Sequence, residues 1–227
     1  MKKKIFALVL SLLMAFSLAA CGGEEEVSSE VTENKNVASS SAESSSIYVP
    51  SGEKWINPKE GDGSWAIYWY LCGSDLETNY GCATNDLIEM LDVSLPENVK
   101  VIIQTGGAEI WQNNLMDASK IQRWLYDSED IKLIDEQEST NMGDAQTLYD
   151  FLTFATENYP ADKIAVTFWN HGGGSVSGAA FDEIHGFDSL DLYEMYQAFD
   201  AVFGVDDIDP ALELVGFDTC LMATIDV

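Results

Sequence analysis

Ile164-Ala165-Val166-Thr167-Phe168-Trp169-Asn170-His171-Gly172-Gly173-Gly174 is the stretch whose reading decides the fold. Ile164 to Trp169 is a run of apolar, β-branched and aromatic residues of strand length, which predicts one buried strand. A strand buried on both faces belongs to a parallel sheet covered by helices. In such sheets ligands bind where the carboxyl ends of strands open into loops. His171 stands at such an end, beside three glycines that leave the backbone bare.

The flanking segments fit the same architecture. Trp65 to Cys72, Val99 to Gln104 and Leu212 to Phe217 read as further strands. Gly73-Ser74-Asp75-Leu76-Glu77 reads as a break after the first of them. Ile121 to Tyr126 and Ile131 to Ile134, around Asp127-Ser128-Glu129-Asp130, predict a small antiparallel hairpin. Helices are expected over Thr84 to Val93, Asp144 to Tyr159 and Leu190 to Phe203. In the second, Leu148, Phe151, Leu152 and Ala155 form an apolar stripe, and Pro160 stops it. Tyr193, Met195, Tyr196 and Phe199 read as core positions of the third. Strands alternating with helices give an α/β domain with a mostly parallel sheet and right-handed crossovers.

The 227 residues suffice for one sizeable domain. With 11 basic and 39 acidic residues the formal net charge is −28, which argues against nucleic acid or an anionic membrane bound through a basic surface. Lys2, Lys3 and Lys4 precede an apolar segment, Ile5 to Leu18, too short to span a membrane comfortably. Leu18-Ala19-Ala20-Cys21-Gly22 follows and resembles the cleavage box of bacterial lipoproteins. Residues 1–21 are therefore expected to be a signal peptide, with Cys21 becoming a lipid-bearing N-terminus at the bacterial cell surface. Residues 22–63 are rich in Ser, Glu, Asn and Thr and lack any period. They read as a disordered tether, with the folded domain over residues 64–227.

The chemistry lies at two strand ends. Cys220 follows Leu212 to Phe217 as His171 follows Lys163 to Trp169. If these strands are neighbours, both side chains meet in one cleft. A cysteine with a histidine beside it is the minimum for a thiolate nucleophile. The Gly172 and Cys220 N–H groups could then form an oxyanion hole. Asp218, two residues before the cysteine, would favour a basic substrate side chain. Each residue also has a plainer reading. The histidine could be an ordinary loop residue, the cysteine a small buried apolar one, and the aspartate a strand-end cap.

Asn170-His171-Gly172-Gly173-Gly174, followed by Gly216-Phe217-Asp218-Thr219-Cys220-Leu221-Met222-Ala223, resembles the clostripain family of cysteine peptidases, which have a caspase-like fold. Tyr70 to Glu77, Gln104 to Ala108, Asn141 to Asp144 and Asn158 to Lys163 agree in order. The resemblance spans roughly residues 65–227. It implies Cys220 as nucleophile, His171 as general acid and base, Gly172 and Cys220 as oxyanion donors, and Asp218 in a pocket for Arg or Lys.

Two departures accompany it. Seven residues follow Cys220, where the resemblance implies a further helix and strands, so the C-terminal part of the sheet is expected to be missing. This polypeptide alone is accordingly expected to be weakly active or inactive. No Lys or Arg occurs from His171 to Val227, so self-cleavage after a basic residue cannot happen there. A rival reading is a non-catalytic binding lipoprotein on the same scaffold.

Other signals rank lower. Cys72 and Cys82 could pair or stay free thiols. His185 competes with His171 but lies in Glu183-Ile184-His185-Gly186, with no strand expected before it. His171-Gly172-Gly173-Gly174 also matches a lipase oxyanion loop, yet the sequence lacks the G-x-S-x-G elbow that reading needs. Asp206-Asp207-Ile208-Asp209 could attract calcium, although its spacing is not that of an EF-hand. No other cofactor and no metal site is expected.

Overall fold

The computed structural model describes residues 63–204 and 211–227. The expected signal peptide with Cys21, the tether and the 206–209 acidic cluster lie outside these residues. A six-stranded sheet runs in the order β4-β3-β2-β1-β5-β8. Its strands are β1 (Trp65–Cys72), β2 (Val99–Gly106), β3 (Lys120–Tyr126), β4 (Ile131–Glu138), β5 (Lys163–Trp169) and β8 (Leu212–Asp218). β1 pairs in parallel with β2 and β5, and β5 pairs in parallel with β8. β3 and β4 add an antiparallel hairpin beyond β2. The mostly parallel α/β sheet and its hairpin are as the sequence predicts.

Period-two alternation sends β1 to both faces of the sheet. Ala66, Tyr68 and Tyr70 join Ile102, Val166 and Phe168 on one face. There they pack under α3 (Ala145–Asn158) and α5 (Leu192–Phe203). Ile67, Trp69 and Leu71 join Val101, Ile103, Trp124 and Trp169 on the other face, against α2 (Cys82–Leu91). Stacked rings fasten β8 to this core: Phe217 lies 5.2 Å from Phe168, near-parallel at 12°. Phe168 also meets Tyr70 at 5.8 Å and Phe199 at 6.3 Å. Aromatic pairs of this kind add about 1 kcal/mol each beyond burial.

Local chemistry sets the helix ends. The Asp144 side chain caps α3 by accepting the Gln146 N–H at 2.7 Å. Asp191 and Glu194 form a reciprocal capping box at the start of α5. That box moves the helix start from the expected Leu190 to Leu192, and Leu190 instead ends a short strand. Tyr193 and Tyr196, expected in the core, are 58% and 47% exposed and stack on each other. The inward face of α5 is filled by Met195, Ala198 and Val202.

Four elements escape the sequence reading. Gly73–Glu77 is not a mere break, because α1 (Ser74–Tyr80) begins there. α4 (Gly174–Ser177) is a single turn after His171. β6 (Ala179–Asp182) and β7 (Asp188–Leu190) form a separate two-stranded ladder. A strand therefore does precede His185, contrary to expectation. Among the described residues, no helix is long and apolar enough to cross a membrane.

Candidate active site

The parallel pairing of β5 with β8 sets Trp169 opposite Asp218. His171 and Cys220 each stand two residues beyond this pair. The sequence turns away from strand geometry at Asn170 for a specific reason. Asn170 is 4% exposed, and its amide donates to the Cys72 carbonyl at 2.8 Å. Its carbonyl oxygen accepts the Phe181 N–H, also at 2.8 Å. One buried side chain thus ties the ends of β1, β5 and β6 together. A buried amide satisfied on both sides holds its backbone firmly, and His171 is the next residue.

Gly172 fits where no side chain could. A Cβ there would lie 2.0 Å from the Cys220 carbonyl oxygen and 2.8 Å from Thr219 Oγ1. The histidine loop and the cysteine loop are therefore in direct backbone contact. An isolated bridge joins Gly172 to Ala179, and the Gly173 N–H donates to the Gly178 carbonyl at 2.7 Å. On the other side of the contact Cys220 is exposed, and Leu221 has φ 61°. A non-glycine residue in the left-handed region marks local strain.

The His171 imidazole has a partner that the sequence does not announce. Nε2 lies 2.7 Å from Asp75 Oδ1 in the first turn of α1. The ring stands edge-on to Phe181, with centroids 6.3 Å apart at 86°. No local signal could have found Asp75, because 96 residues separate the two. The rival histidine is differently placed. His185 Nδ1 lies 3.1 Å from Asp182 Oδ2 within one tight turn. Asp182 is fully buried and also accepts the Met142 N–H at 2.7 Å and the His185 N–H at 3.1 Å.

Asp218 is half-buried, and that burial raises its carboxyl pKa. A poorly solvated carboxylate gains from a cation brought to it. Beneath it, the Trp169 indole N–H donates to Asp86 Oδ2 at 2.6 Å. Burial pushes Asp86 up to about 6, against the lowering effect of that hydrogen bond, and Asp218 adds to the rise. Sequence reading missed Asp86 as it missed Asp75.

Cys72 and Cys82 are free thiols. Burial and the nearby Asp182 push Cys72 well above the usual thiol range, so it is a poor nucleophile. Among the described residues, no group of three or more His, Cys, Asp or Glu side chains could hold a metal ion.

The model of the clostripain family, Peptidase_C11, matches residues 69–227. No curated protein matches the chain. Among solved structures, the chain is similar to a secreted C11 cysteine protease from Bacteroides thetaiotaomicron held in complex with an irreversible peptide inhibitor. The identity is 22% and the TM-score 0.55, over 71% of this chain and 44% of that one. Another structure of a secreted C11 cysteine protease from that organism, described as iotapain, is 15% identical with a TM-score of 0.52, over 71% of this chain and 47% of that one. The chain thus spans less than half the length of the solved chain in each case, and at these identities the likeness speaks to fold. The sheet order, the apposed histidine and cysteine loops and the family match over most of the chain agree, and the chain belongs to the clostripain family.

Proposed function

We propose that the protein is a cysteine endopeptidase that cleaves after Arg or Lys, with Cys220 as nucleophile and His171 as general acid and base. The observation that carries this reading is the contact of Gly172 with the Cys220 backbone, with the two side chains at the ends of paired parallel strands. His171 takes the thiol proton, and the Cys220 sulfur attacks the scissile carbonyl carbon. The carbonyl electron pair moves to oxygen, where the Gly172 and Cys220 N–H groups stabilise the negative charge. Collapse breaks the C–N bond, and the leaving amine receives the proton from His171. Water, deprotonated by the same imidazole, then hydrolyses the thioester and restores the thiol. Losing one oxyanion donor in such a site costs about 3 kcal/mol.

Asp218 selects the substrate in this reading. Its burial-raised pKa means that a guanidinium or ammonium group replaces solvation the carboxylate lacks. The charge of −28 would draw cationic substrates by long-range attraction. The similar solved proteins are described as secreted, which supports action outside the cytoplasm, with Cys21 as a lipid anchor. Cys21→Ser would then move the protein from the membrane fraction to the medium.

The deciding test is covalent labelling. Peptidyl-Arg, peptidyl-Lys and peptidyl-Glu electrophiles are offered to the purified polypeptide, and the modified residue is located by mass spectrometry. Cys220 should be labelled by the two basic probes, and Cys220→Ala should abolish the label. Equal labelling by the Glu probe would remove the assigned specificity. Absence of any label on Cys220 would remove the peptidase reading.

A further inference from the structure

An imidazole that serves as both base and acid must present one particular nitrogen to the thiol. What fixes the choice is the hydrogen bond made by the other nitrogen. In this structure the other nitrogen is occupied: His171 Nε2 faces Asp75 Oδ1 at 2.7 Å. Both side chains are partly exposed, 40% for His171 and 32% for Asp75. Solvent screening makes the attraction itself modest at such exposure, so stability is a poor reason for the pair.

The way Asp75 is held is more informative. α1 has only seven residues, too few to be stable alone. It is fastened from outside along its length. The Gly73 N–H donates to the Gly106 carbonyl at 2.8 Å, and the Ser74 N–H to the Gly107 carbonyl at 3.1 Å. Glu77, fully buried, accepts the Thr84 N–H at 2.8 Å and the Gln112 N–H at 2.7 Å. The Thr78 hydroxyl donates to Glu183 Oε2 at 2.6 Å. Ser74 itself is buried and held at φ 52°. That strained conformation persists only where surroundings over-determine it. The Ser74 hydroxyl then donates to the same Asp75 oxygen, at 3.2 Å. A strained, over-anchored turn thus ends in one carboxylate oxygen aimed at one imidazole nitrogen.

We propose that Asp75 is the positioning residue of His171. It accepts the Nε2 proton, fixes the ring and its tautomer, and leaves Nδ1 to exchange a proton with Cys220. The proposal rests on the peptidase reading of Cys220 and His171. Asp75 takes no proton in either half of the reaction; Nδ1 passes one proton from sulfur to the leaving amine, and later one from water back to sulfur. The imidazolium formed in between is stabilised by the Asp75 charge.

Two measurements on the full chain test this without requiring turnover. The first is the pH profile of Cys220 alkylation by iodoacetamide, resolved by mass spectrometry. Relative to wild type, Asp75→Asn should alkylate about tenfold or more slowly near pH 6, and Asp75→Glu should recover part of the loss. The second is the nitrogen-15 spectrum of the imidazoles, of which the sequence has two, with His185→Gln as the assigning variant. Wild-type His171 should carry its proton on Nε2. The amide of Asp75→Asn can donate to Nε2, and the proton should move to Nδ1. A wild-type alkylation profile together with a wild-type tautomer in Asp75→Asn would overturn the proposal. If His171→Ala alkylates like wild type, the Cys–His pairing itself fails; the tautomer then still decides whether Asp75 governs His171.

Discussion

Among the described residues there are two His–Asp pairs, and they are placed very differently in the fold. His185 and Asp182 lie three residues apart in one turn, with a carboxylate that solvent cannot reach. Two backbone N–H groups and the imidazole consume the Asp182 acceptors. This pair closes the β6–β7 turn and has little capacity left for chemistry. His171 and Asp75 meet across 96 residues at the open end of the sheet. Their carboxylate has one neighbouring hydroxyl and one imidazole, and the loop bearing Cys220 is packed alongside. Similar chemistry is placed in a closed turn in one pair and at an open strand end in the other, and the proposed base is the second.

Exchanging each histidine gives the largest expected contrast. His171→Ala should lower kcat for a basic peptide substrate by about 10²-fold to 10⁴-fold. His185→Gln should leave kcat close to wild type. Equal losses in both would erase the distinction. Gly172→Ala comes next, since a Cβ would meet the Cys220 carbonyl oxygen at 2.0 Å. The loops must separate, and labelling of Cys220 should fall at least tenfold, about 1.4 kcal/mol in barrier, while Gly186→Ala in the open turn of the other pair should not affect labelling.

Stability should move the opposite way. Asp182→Ala leaves the buried Met142 N–H without its acceptor, at a cost of about 1–3 kcal/mol in urea unfolding. Asp75→Ala, at a partly exposed site, should cost less than about 1 kcal/mol. A larger loss from Asp75→Ala than from Asp182→Ala would contradict the comparison. The remaining effect concerns pH. Asp86 is raised to about 6 in the fold, above the roughly 3.9 expected when unfolded. The folded state then binds the extra proton, so this group destabilises progressively as pH rises from about 4 to 6. Asp86→Asn, which can still accept the Trp169 N–H, should flatten that part of the stability profile. An unchanged slope would show that the shift lies elsewhere.

The central strands were readable because burial on both faces leaves a continuous apolar run, as in Ile164 to Trp169. His171 was readable because it follows such a run, and Cys220 because it follows Leu212 to Phe217, a strand-like stretch that lies only partly buried at the end of the sheet. Asp75 was not, since its partner lies 96 residues away and Gly73-Ser74 reads as a break. The strain at Ser74 is invisible in composition, because it is imposed by hydrogen bonds from β2 and its following loop. The β6–β7 ladder escaped detection because strands of four and three residues carry too few alternations to register. Tyr193 and Tyr196 misled because an aromatic residue at helical spacing looks the same whether it faces core or solvent.

The interlock of Gly172 with Cys220 bears on how the molecule would fail under heat. A site built from independent loops loses performance gradually as each one loosens. Here the Cys220 backbone and the Gly172 backbone are wedged together, and the wedge holds only while β8 stays paired to β5. Detachment of that strand removes both at once. Thermal inactivation should therefore be abrupt, coinciding with release of β8 and preceding the melting of the β1–β2 centre.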